Sequence, residues 1–203
     1  MILPQTFYAQ ETVRVAKHLL GCYLVHLEGE ATTLGRIVET EAYLVNDPAS
    51  HAFIGQTPRN SVMFGPVGHA YVYFIYGVHY CLNFSCMPEG QAGCVLLRAI
   101  EPLEGLEQMA EARGLDPERL RSISGLRMLT SGPGRVCQAL DITRKRLNGE
   151  KLYTADSPLK IVDDGWRPGE IRETLRIGIT KSHEMPLRYL IAGNAFVSGK
   201  KVG

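Results

Sequence analysis

The 203-residue sequence predicts a mixed α/β (α+β) fold, with a curved, mainly antiparallel β-sheet, surrounding helices and a protruding β-hairpin. Short runs rich in Val, Ile, Tyr and Phe follow one another closely between turns that contain Gly or Pro, which favours antiparallel pairing of neighbouring strands. Segments with apolar residues at helical spacing lie between them. The length and the 45% hydrophobic content suffice to bury one core, so we expect a single domain over residues 1–203.

The sequence is organised around residues 71–86, which read YVYFIYGVHYCLNFSC. Two runs of strand-forming residues flank Gly77, a natural turn residue, and predict the β-hairpin. Alternation places Tyr71, Tyr73 and Ile75 on one face. Tyr76 falls at the turn, where an aromatic ring has little core to pack against. The run is either an ordinary aromatic core strand or a wedge that enters something flat, such as a stack of bases.

The segments before the hairpin predict a helix over residues 11–20, strands over 22–27 and 35–44, and a long loop over 45–68. The helix shows an amphipathic spacing and ends at Gly21, a typical C-terminal glycine. In the second strand, alternation places Glu39, Glu41 and Tyr43 on one face. The loop is long for a compact domain, and loops of this kind are often functional.

The segments after the hairpin predict further strands and helices. They are a strand over 93–100, a helix from Pro102 to about Arg113, a helix capped by Asp116-Pro117, a short helix at about 136–140, and late strands near 153, 159–162, 175–179 and 187–196. Proline in a first helical turn and aspartate at an N-cap are the signals for the helices.

The charge distribution, the cysteines and the hydropathy of the sequence indicate its possible partners and its cellular compartment. The net charge is +1, but residues 1–134 carry −4 (9 Lys/Arg against 13 Asp/Glu) and residues 135–203 carry +5 (13 against 8). A locally basic C-terminal third permits a polyanionic partner without specifying one. The five cysteines contain no C-x-x-C pair, so we expect buried free thiols of a reducing cytosol. We see no signal peptide or membrane span, and expect a cytoplasmic protein with no membrane partner.

Glu41 is the first candidate for chemistry, because a carboxylate among apolar and aromatic residues can serve as a general acid or base. The alternative is a solvated strand carboxylate. Glu39 has the same parity and lies about 7 Å away, within the range of an inverting glycosidase pair. Two such carboxylates on one strand aim in parallel, however, and do not flank a bond, so one carboxylate with a positioned water fits better.

Three other polar residues lie where their burial needs an explanation. Arg98 interrupts the apolar run GCVLLRAI and needs an acidic partner, which is either Glu41 at a catalytic site or Glu39 or Glu101 in a structural ion pair. His51 lies in the long polar loop, and its spacing to the other histidines does not indicate a metal site. Asn83, in the return strand of the hairpin, is either satisfied internally or contacts a ligand.

Several long runs together resemble the alkyladenine (3-methyladenine) DNA glycosylase family. They are GRIVETEAYL, His51, QTPRN, MFGPVGHAYVYFIYGVHYCLN and CVLLRAIEPLEG, which cover residues 35–105 almost without a break. The match resumes at Ser131-Gly132-Pro133 with residues 137–140, and more faintly at 176–179 and 186–189. Several long motifs in register are far more specific than any short pattern.

The resemblance implies a monofunctional glycosylase of base excision repair. Such an enzyme flips alkylated or deaminated purines, among them 3-methyladenine, 7-methylguanine and hypoxanthine, out of double-stranded DNA from the minor-groove side. It then hydrolyses the N-glycosidic bond and leaves an abasic site. The resemblance further implies a monomer that needs no metal or organic cofactor and, in a prokaryote, associates with the nucleoid.

The resemblance also implies roles for individual residues. Glu41 looks like the base that activates water, and Arg98 and the backbone carbonyl of Ile177 look like its partners at the water site. The residues that look like the walls of the base pocket are Tyr43, His51 and Tyr73. Tyr76 looks like the residue that fills the gap left by the flipped nucleotide, and Asn83 looks like the residue that disfavours guanine. The loop after Tyr43 is shorter than in vertebrate members, and residues 53–55 and 78–79 depart from the family pattern.

Two other classes of function are compatible with parts of the sequence. A non-catalytic nucleic-acid-binding module would keep Tyr76 and the basic C-terminal third, but would not need Glu41 with Arg98. A carbohydrate glycosidase would use Glu39 with Glu41, and would not need a tyrosine at the tip of a hairpin.

Overall fold

The computed structural model describes residues 1–88 and 90–199. Within them lie six helices: α1 (Gln5–Tyr8), α2 (Thr12–His18), α3 (Leu106–Arg113), α4 (Ile123–Thr130), α5 (Pro133–Ala139) and α6 (Arg144–Leu147). The eight strands are β1 (Tyr23–Glu28), β2 (Ala31–Tyr43), β3 (Ala70–Ile75), β4 (His79–Cys86), β5 (Gly93–Glu104), β6 (Leu159–Val162), β7 (Ile171–Thr174) and β8 (Arg188–Ile191). All eight join one curved sheet through antiparallel pairs, so the predicted fold class is confirmed.

Strand β2 is the longest element and the centre of the sheet. One edge pairs with β5 along most of its length. The other edge pairs with β1 as far as Arg36, and then with β8 from Glu39 to Glu41. The change of partner at Glu39 brings the C-terminal part of the chain against the middle of β2. Thr40 points to the opposite face, where its hydroxyl donates to the Ala16 carbonyl of α2 at 2.9 Å.

The ladder between β2 and β5 is irregular at this same point. Ile37 pairs with Ile100, Glu39 with Ala99, and Thr40 with Leu97, so the register passes over Val38 on one strand and Arg98 on the other. An extra residue of this kind forms a β-bulge, which bends the strand and re-aims a side chain. Arg98 is the bulged residue of β5, and its guanidinium turns towards the carboxylates of β2.

Strands β3 and β4 form the predicted hairpin, with Tyr73 opposite Cys81 and Ile75 opposite His79. Tyr76 and Gly77 make the turn, with positive φ angles of 54° and 70°, and the Val78 amide donates to the Ile75 carbonyl. Two consecutive residues with positive φ give a turn whose twist matches that of the strands. Glycine adopts this conformation freely, whereas tyrosine adopts it at a cost of about 1 kcal/mol.

The main hydrophobic core lies between the sheet and the helices, above all α2, α4 and α5. A second, smaller cluster, built on Ala52, Met63, Tyr71, Ala92 and Cys94, supports the hairpin and the long loop. All five cysteines are buried and free, as predicted. In the described part of the chain, the structure contains no helix long and apolar enough to cross a membrane.

Several predicted boundaries are wrong. Pro102 does not open a helix but lies in β5 opposite Gly35, beyond the residues that pair with β4, where its missing N–H is tolerated. Residues 175–179 do not form a strand; β7 ends at Thr174. Tyr153 lies outside any strand. The sequence analysis also missed α4, whose start is marked by the Ser122 hydroxyl accepting from the Gly125 amide.

Candidate active site

The concave side of the sheet carries a cavity of about 520 Å³. Its walls come from β2, β3, β4 and β5, the start of α5 and the loop after β7. The lining residues that the sequence singled out are Tyr43, His51, Tyr73, Tyr76, Asn83, Arg98 and Ile177. Glu41 lies directly beneath this cavity and is fully buried. The eight predicted site residues, scattered from 41 to 177, therefore meet at one place.

The sheet register explains this convergence. One row of directly paired residues runs across five strands: Tyr71 to Asn83, Asn83 to Leu96, Leu96 to Glu41 and Glu41 to Arg188. Directly paired residues on neighbouring strands project to the same face of a sheet. The row thus places an aromatic residue, an amide, Leu96, a carboxylate and a guanidinium in this order across the sheet.

The Glu41 carboxylate is held by three groups. Its Oε1 atom accepts the backbone N–H of Ile177 at 2.8 Å and lies 3.1 Å from Nη1 of Arg98. Its Oε2 atom accepts the hydroxyl of Tyr43 at 3.0 Å. All three partners line the cavity. The carboxylate is therefore fixed in orientation, and Oε2, with one partner, keeps acceptor capacity for a further donor.

Glu39 occupies a different environment, although it lies only two residues away. Its Oε1 atom accepts from Nε of Arg98 at 2.9 Å, from Nε of Arg188 at 2.6 Å and from the Ser198 hydroxyl at 2.9 Å, and its Oε2 atom accepts the Ser198 amide at 2.5 Å. It is fully buried and does not line the cavity. Glu39 therefore binds the C-terminal segment to the sheet and cannot flank a substrate bond.

Arg98 links the two carboxylates, so both partners proposed from the sequence, Glu41 and Glu39, are found. Glu101 instead accepts the Asn194 side chain. Burial acts to lower the pKa of Arg98, but the negative charges of Glu41 and Glu39 outweigh it and raise that pKa above its ordinary value. The guanidinium is a permanent positive charge at the floor of the cavity.

Aromatic rings form the wall above this floor. The His51 ring lies edge-on to Tyr73, with 4.4 Å between centroids, and its Nδ1 atom is 2.9 Å from the Tyr71 hydroxyl. Burial, with a smaller contribution from Arg59, lowers the pKa of His51, so the imidazole is neutral at physiological pH. Burial raises the pKa of Tyr43 and of Tyr73, so both phenols stay protonated. The wall is apolar and uncharged.

A buried ion pair fixes Tyr43 from behind. The Arg176 guanidinium lies 4.7 Å from the Tyr43 ring centroid, pairs with Asp47, and donates to the carbonyls of Ala42 and Ser182 at 3.0 and 3.2 Å. These bonds join the loop after β2 to the loop after β7. Ile177, the next residue, is thereby positioned with its N–H on Glu41.

Asn83 and Tyr76 both line the cavity but differ in exposure. Asn83 is buried, and its Nδ2 atom donates to the Tyr71 carbonyl at 3.2 Å, which restricts rotation of the amide. Tyr76 is 77% exposed, whereas Tyr71 and Val72 of the same hairpin are buried in the protein. Cationic side chains of Arg135 at this cavity, and of Arg59 and Lys181 at an adjoining one of about 380 Å³, are exposed.

The sequence analysis missed Arg188, Arg176, Asp47 and Ser198. Arg188 interrupts the apolar run PLRYLIA just as Arg98 interrupts its own strand, so the same argument could have found it. Asp47 and Ser198 carry no comparable signal, because an acidic or hydroxyl residue in a loop is usually solvated. For Ile177, the structure gives a contact through its backbone N–H, while the sequence analysis singled out its carbonyl.

Comparison with known proteins finds one matching family model and several relatives that match over nearly the full length of the chain. The family model described as methylpurine-DNA glycosylase matches residues 6–195. A protein of Koribacter versatilis is 54% identical over 200 residues, which are 98% of this chain and 94% of that one. Proteins of Methanoculleus marisnigri and Carboxydothermus hydrogenoformans are 50% and 45% identical, over 98% of this chain and 99% and 100% of theirs. All three are named "Putative 3-methyladenine DNA glycosylase".

The pair of Asp47 with Arg176 predicts a pH-dependent contribution to stability. Burial alone would raise the pKa of Asp47, but hydrogen bonds from Arg176 and from the Ala49 amide lower it. A lowered folded-state pKa stabilises the protein above the unfolded value of about 3.9, and this stabilisation is lost as the pH falls through the folded value. Asp47→Asn should therefore lower the free energy of unfolding by about 3 kcal/mol at pH 7.

Urea unfolding of wild type and Asp47→Asn across a pH series measures this difference, which should shrink below about pH 4. Glu30→Gln is the control, because Glu30 is an exposed carboxylate and its removal should change little. A difference that is constant at every pH would show that the ionisation of Asp47 does not contribute to stability.

Proposed function

The chain belongs to the methylpurine-DNA glycosylase family, and from this membership and the geometry of the site we propose how it acts. It removes alkylated or deaminated purines, such as 3-methyladenine, 7-methylguanine and hypoxanthine, from double-stranded DNA by hydrolysing the N-glycosidic bond. The product is an abasic site in an uncut strand. The observation that carries the proposal is the Glu41 carboxylate, held by Arg98 and the Ile177 amide beneath an aromatic-walled cavity.

In this proposal Glu41 is the general base. A water molecule beside Oε2 attacks C1′ of the nucleotide, the C1′–N9 bond breaks with its electron pair leaving on the base, and Glu41 takes the proton of the water. The sugar passes through an oxocarbenium-like state, whose positive charge the ionised carboxylate also stabilises. Arg98 and the Ile177 carbonyl would orient the water. The water is the nucleophile, so no covalent enzyme intermediate and no strand cleavage result.

The aromatic wall would select the base. A purine methylated at N3 or N7 carries positive charge, and a cation stacked on a tyrosine face is stabilised by about 0.5–2 kcal/mol. Tyr43 and Tyr73 supply such faces, and the ion pair behind Tyr43 keeps its ring in place. The same positive charge makes the damaged base a good leaving group. The neutral state of the His51 imidazole supports this selectivity, because a cationic imidazole would repel the positively charged base.

Access to a base in a duplex requires the nucleotide to rotate out of the stack, at a cost of a few kcal/mol. Tyr76, 77% exposed at the turn of the hairpin, is suited to insert into the gap and hold it open from the minor-groove side. The exposed cations of Arg135, Arg59 and Lys181 would contact the phosphates. We propose that the protein works as a monomeric single domain on chromosomal DNA in the cytoplasm.

Glu41→Gln tests the assignment of the base. The substitution keeps the shape and hydrogen bonding but cannot accept the proton, so single-turnover release of 3-methyladenine from methylated duplex DNA should fall at least about a hundredfold. Binding to an abasic-site duplex should be retained. Glu39→Gln, which removes a carboxylate of the same cluster that does not line the cavity, should be much milder at pH 7.5. Near-normal excision by Glu41→Gln would contradict the assignment.

Tyr76→Ala tests the wedge. Loss of the ring should shift the flipping equilibrium back towards the stacked base, so excision from a duplex should fall by about tenfold, in keeping with a lost stacking energy of about 1–3 kcal/mol. Excision of the same lesion from a single strand should change less, since there is little stack to open. Phe74→Ala is a control for loss of an exposed aromatic of the same hairpin. Equal losses on both substrates would mean that Tyr76 does not act by holding the duplex open.

Asn83→Ser tests the exclusion of normal guanine. Guanine carries a 2-amino group that adenine and hypoxanthine lack, and an asparagine restricted by the Tyr71 carbonyl would clash with it. The shorter serine should allow release of unmodified guanine from undamaged duplex DNA, while release of 3-methyladenine changes little. If guanine release does not rise in a variant that remains active on methylated DNA, Asn83 does not discriminate.

A further inference from the structure

Four buried charges of alternating sign lie in a chain behind the cavity: Arg188, Glu39, Arg98 and Glu41. Arg188 is 2.6 Å from Glu39, Arg98 is 2.9 Å from Glu39, and Arg98 is 3.1 Å from Glu41. The side chains are between 0% and 8% exposed. The cluster has no net charge when both carboxylates are ionised. Arg188 and Glu39 do not line the cavity.

The two central residues of this chain of charges, Glu39 and Arg98, each contact two partners of opposite charge. Arg98 serves both carboxylates, and Oε1 of Glu39 serves both guanidiniums. A buried charge requires an opposite charge nearby. The attraction that Arg98 exerts on Glu41 therefore depends on whether Glu39 has a second positive partner. Arg188 supplies this compensation. It is held there by its own bonds to the Ser198 carbonyl at 3.0 Å and to the Thr174 hydroxyl at 3.3 Å.

We propose that Arg188 is a positioning residue that keeps Glu41 ionised by compensating Glu39, which leaves the charge of Arg98 for the catalytic carboxylate. The inference rests on the proposed role of Glu41 as the general base. Without Arg188, two carboxylates would compete for one guanidinium, and Glu41 would take up a proton from solvent more readily. Without Glu39, two guanidiniums would face Glu41 alone and oppose its protonation.

Other titratable and charged groups face Glu41 or its immediate partners from the surrounding elements. They are Tyr43 on its own strand, Tyr73 on β3, Cys81 on β4 and the pair of Arg176 with Asp47. Burial raises the pKa of Tyr43, Tyr73 and Cys81, so none of them changes charge below neutral pH. Arg176 is compensated by Asp47. His51 and Asp47 take up protons in acid in wild type and variants alike, so differences between the variants reflect Arg98, Glu39 and Arg188.

The test compares wild type, Arg188→Met, Glu39→Gln and the double variant in single-turnover release of 3-methyladenine, which carries its charge throughout the pH range used. The quantity compared is the pH at which each rate falls to half of its own plateau on the acid side. We expect Arg188→Met to raise this midpoint by about one pH unit and Glu39→Gln to lower it by a similar amount. The double variant, whose cluster is again neutral, should return to the wild-type midpoint.

Opposite shifts that cancel are the signature of charge, because loss of packing or of folded protein lowers the plateau without moving the midpoint in two directions. Midpoints that stay in place, or that move the same way in both single variants, would overturn the inference. If Arg188→Met does not fold, Arg188→Lys, which keeps the charge, should have the wild-type midpoint, and Glu39→Gln alone still decides. If neither wild type nor the double variant releases base, the proposed function itself fails.

Discussion

The structure depends on the compensation of buried charge in the middle of its sheet. A carboxylate removed from water is tolerated only when it is paired and hydrogen-bonded, and here two carboxylates lie two residues apart on one buried strand. Their compensation requires Arg98 from one neighbouring strand and Arg188 from the other. Glu39 also requires Ser198, so the C-terminal segment folds beneath the site. The pairing of β2 with β5 and β8 and the placement of Ser198 both meet this requirement.

The same arrangement gives the two carboxylates different environments. Glu39 has all its contacts inside the protein, whereas the partners of Glu41 form the surface of the cavity. The β-bulge makes this division possible, because it turns the Arg98 side chain so that one guanidinium reaches both carboxylates. A fixed charge in a water-poor site stabilises a developing positive charge more strongly than a mobile one, since it needs no reorganisation during the reaction.

Local patterns predicted most of the sheet, and long-range contacts account for what they missed. Alternation placed Glu39, Glu41 and Tyr43 on one face because a period of two is a property of a single strand. Nothing in that strand shows that its edge partner changes from β1 to β8, whose residues lie about 150 positions away. The pattern of residues 175–179 predicts a strand, but Arg176 pairs with Asp47 in the loop after β2, and the backbone there is not part of the sheet. The bulge at Arg98 likewise depends on pairing between strands that no single stretch encodes.

The positive φ of Tyr76 has a consequence for attempts to engineer the protein. Local energetics favour glycine or asparagine at that turn position, so a search for thermostable variants would select against the tyrosine. Such a variant would relieve the backbone strain and melt at a higher temperature, yet it would have lost the ring at the turn, which is more exposed than Phe74 on the same hairpin. Selection for stability alone would therefore remove the ring on which the proposed wedge depends, and a screen on this scaffold should hold residue 76 constant.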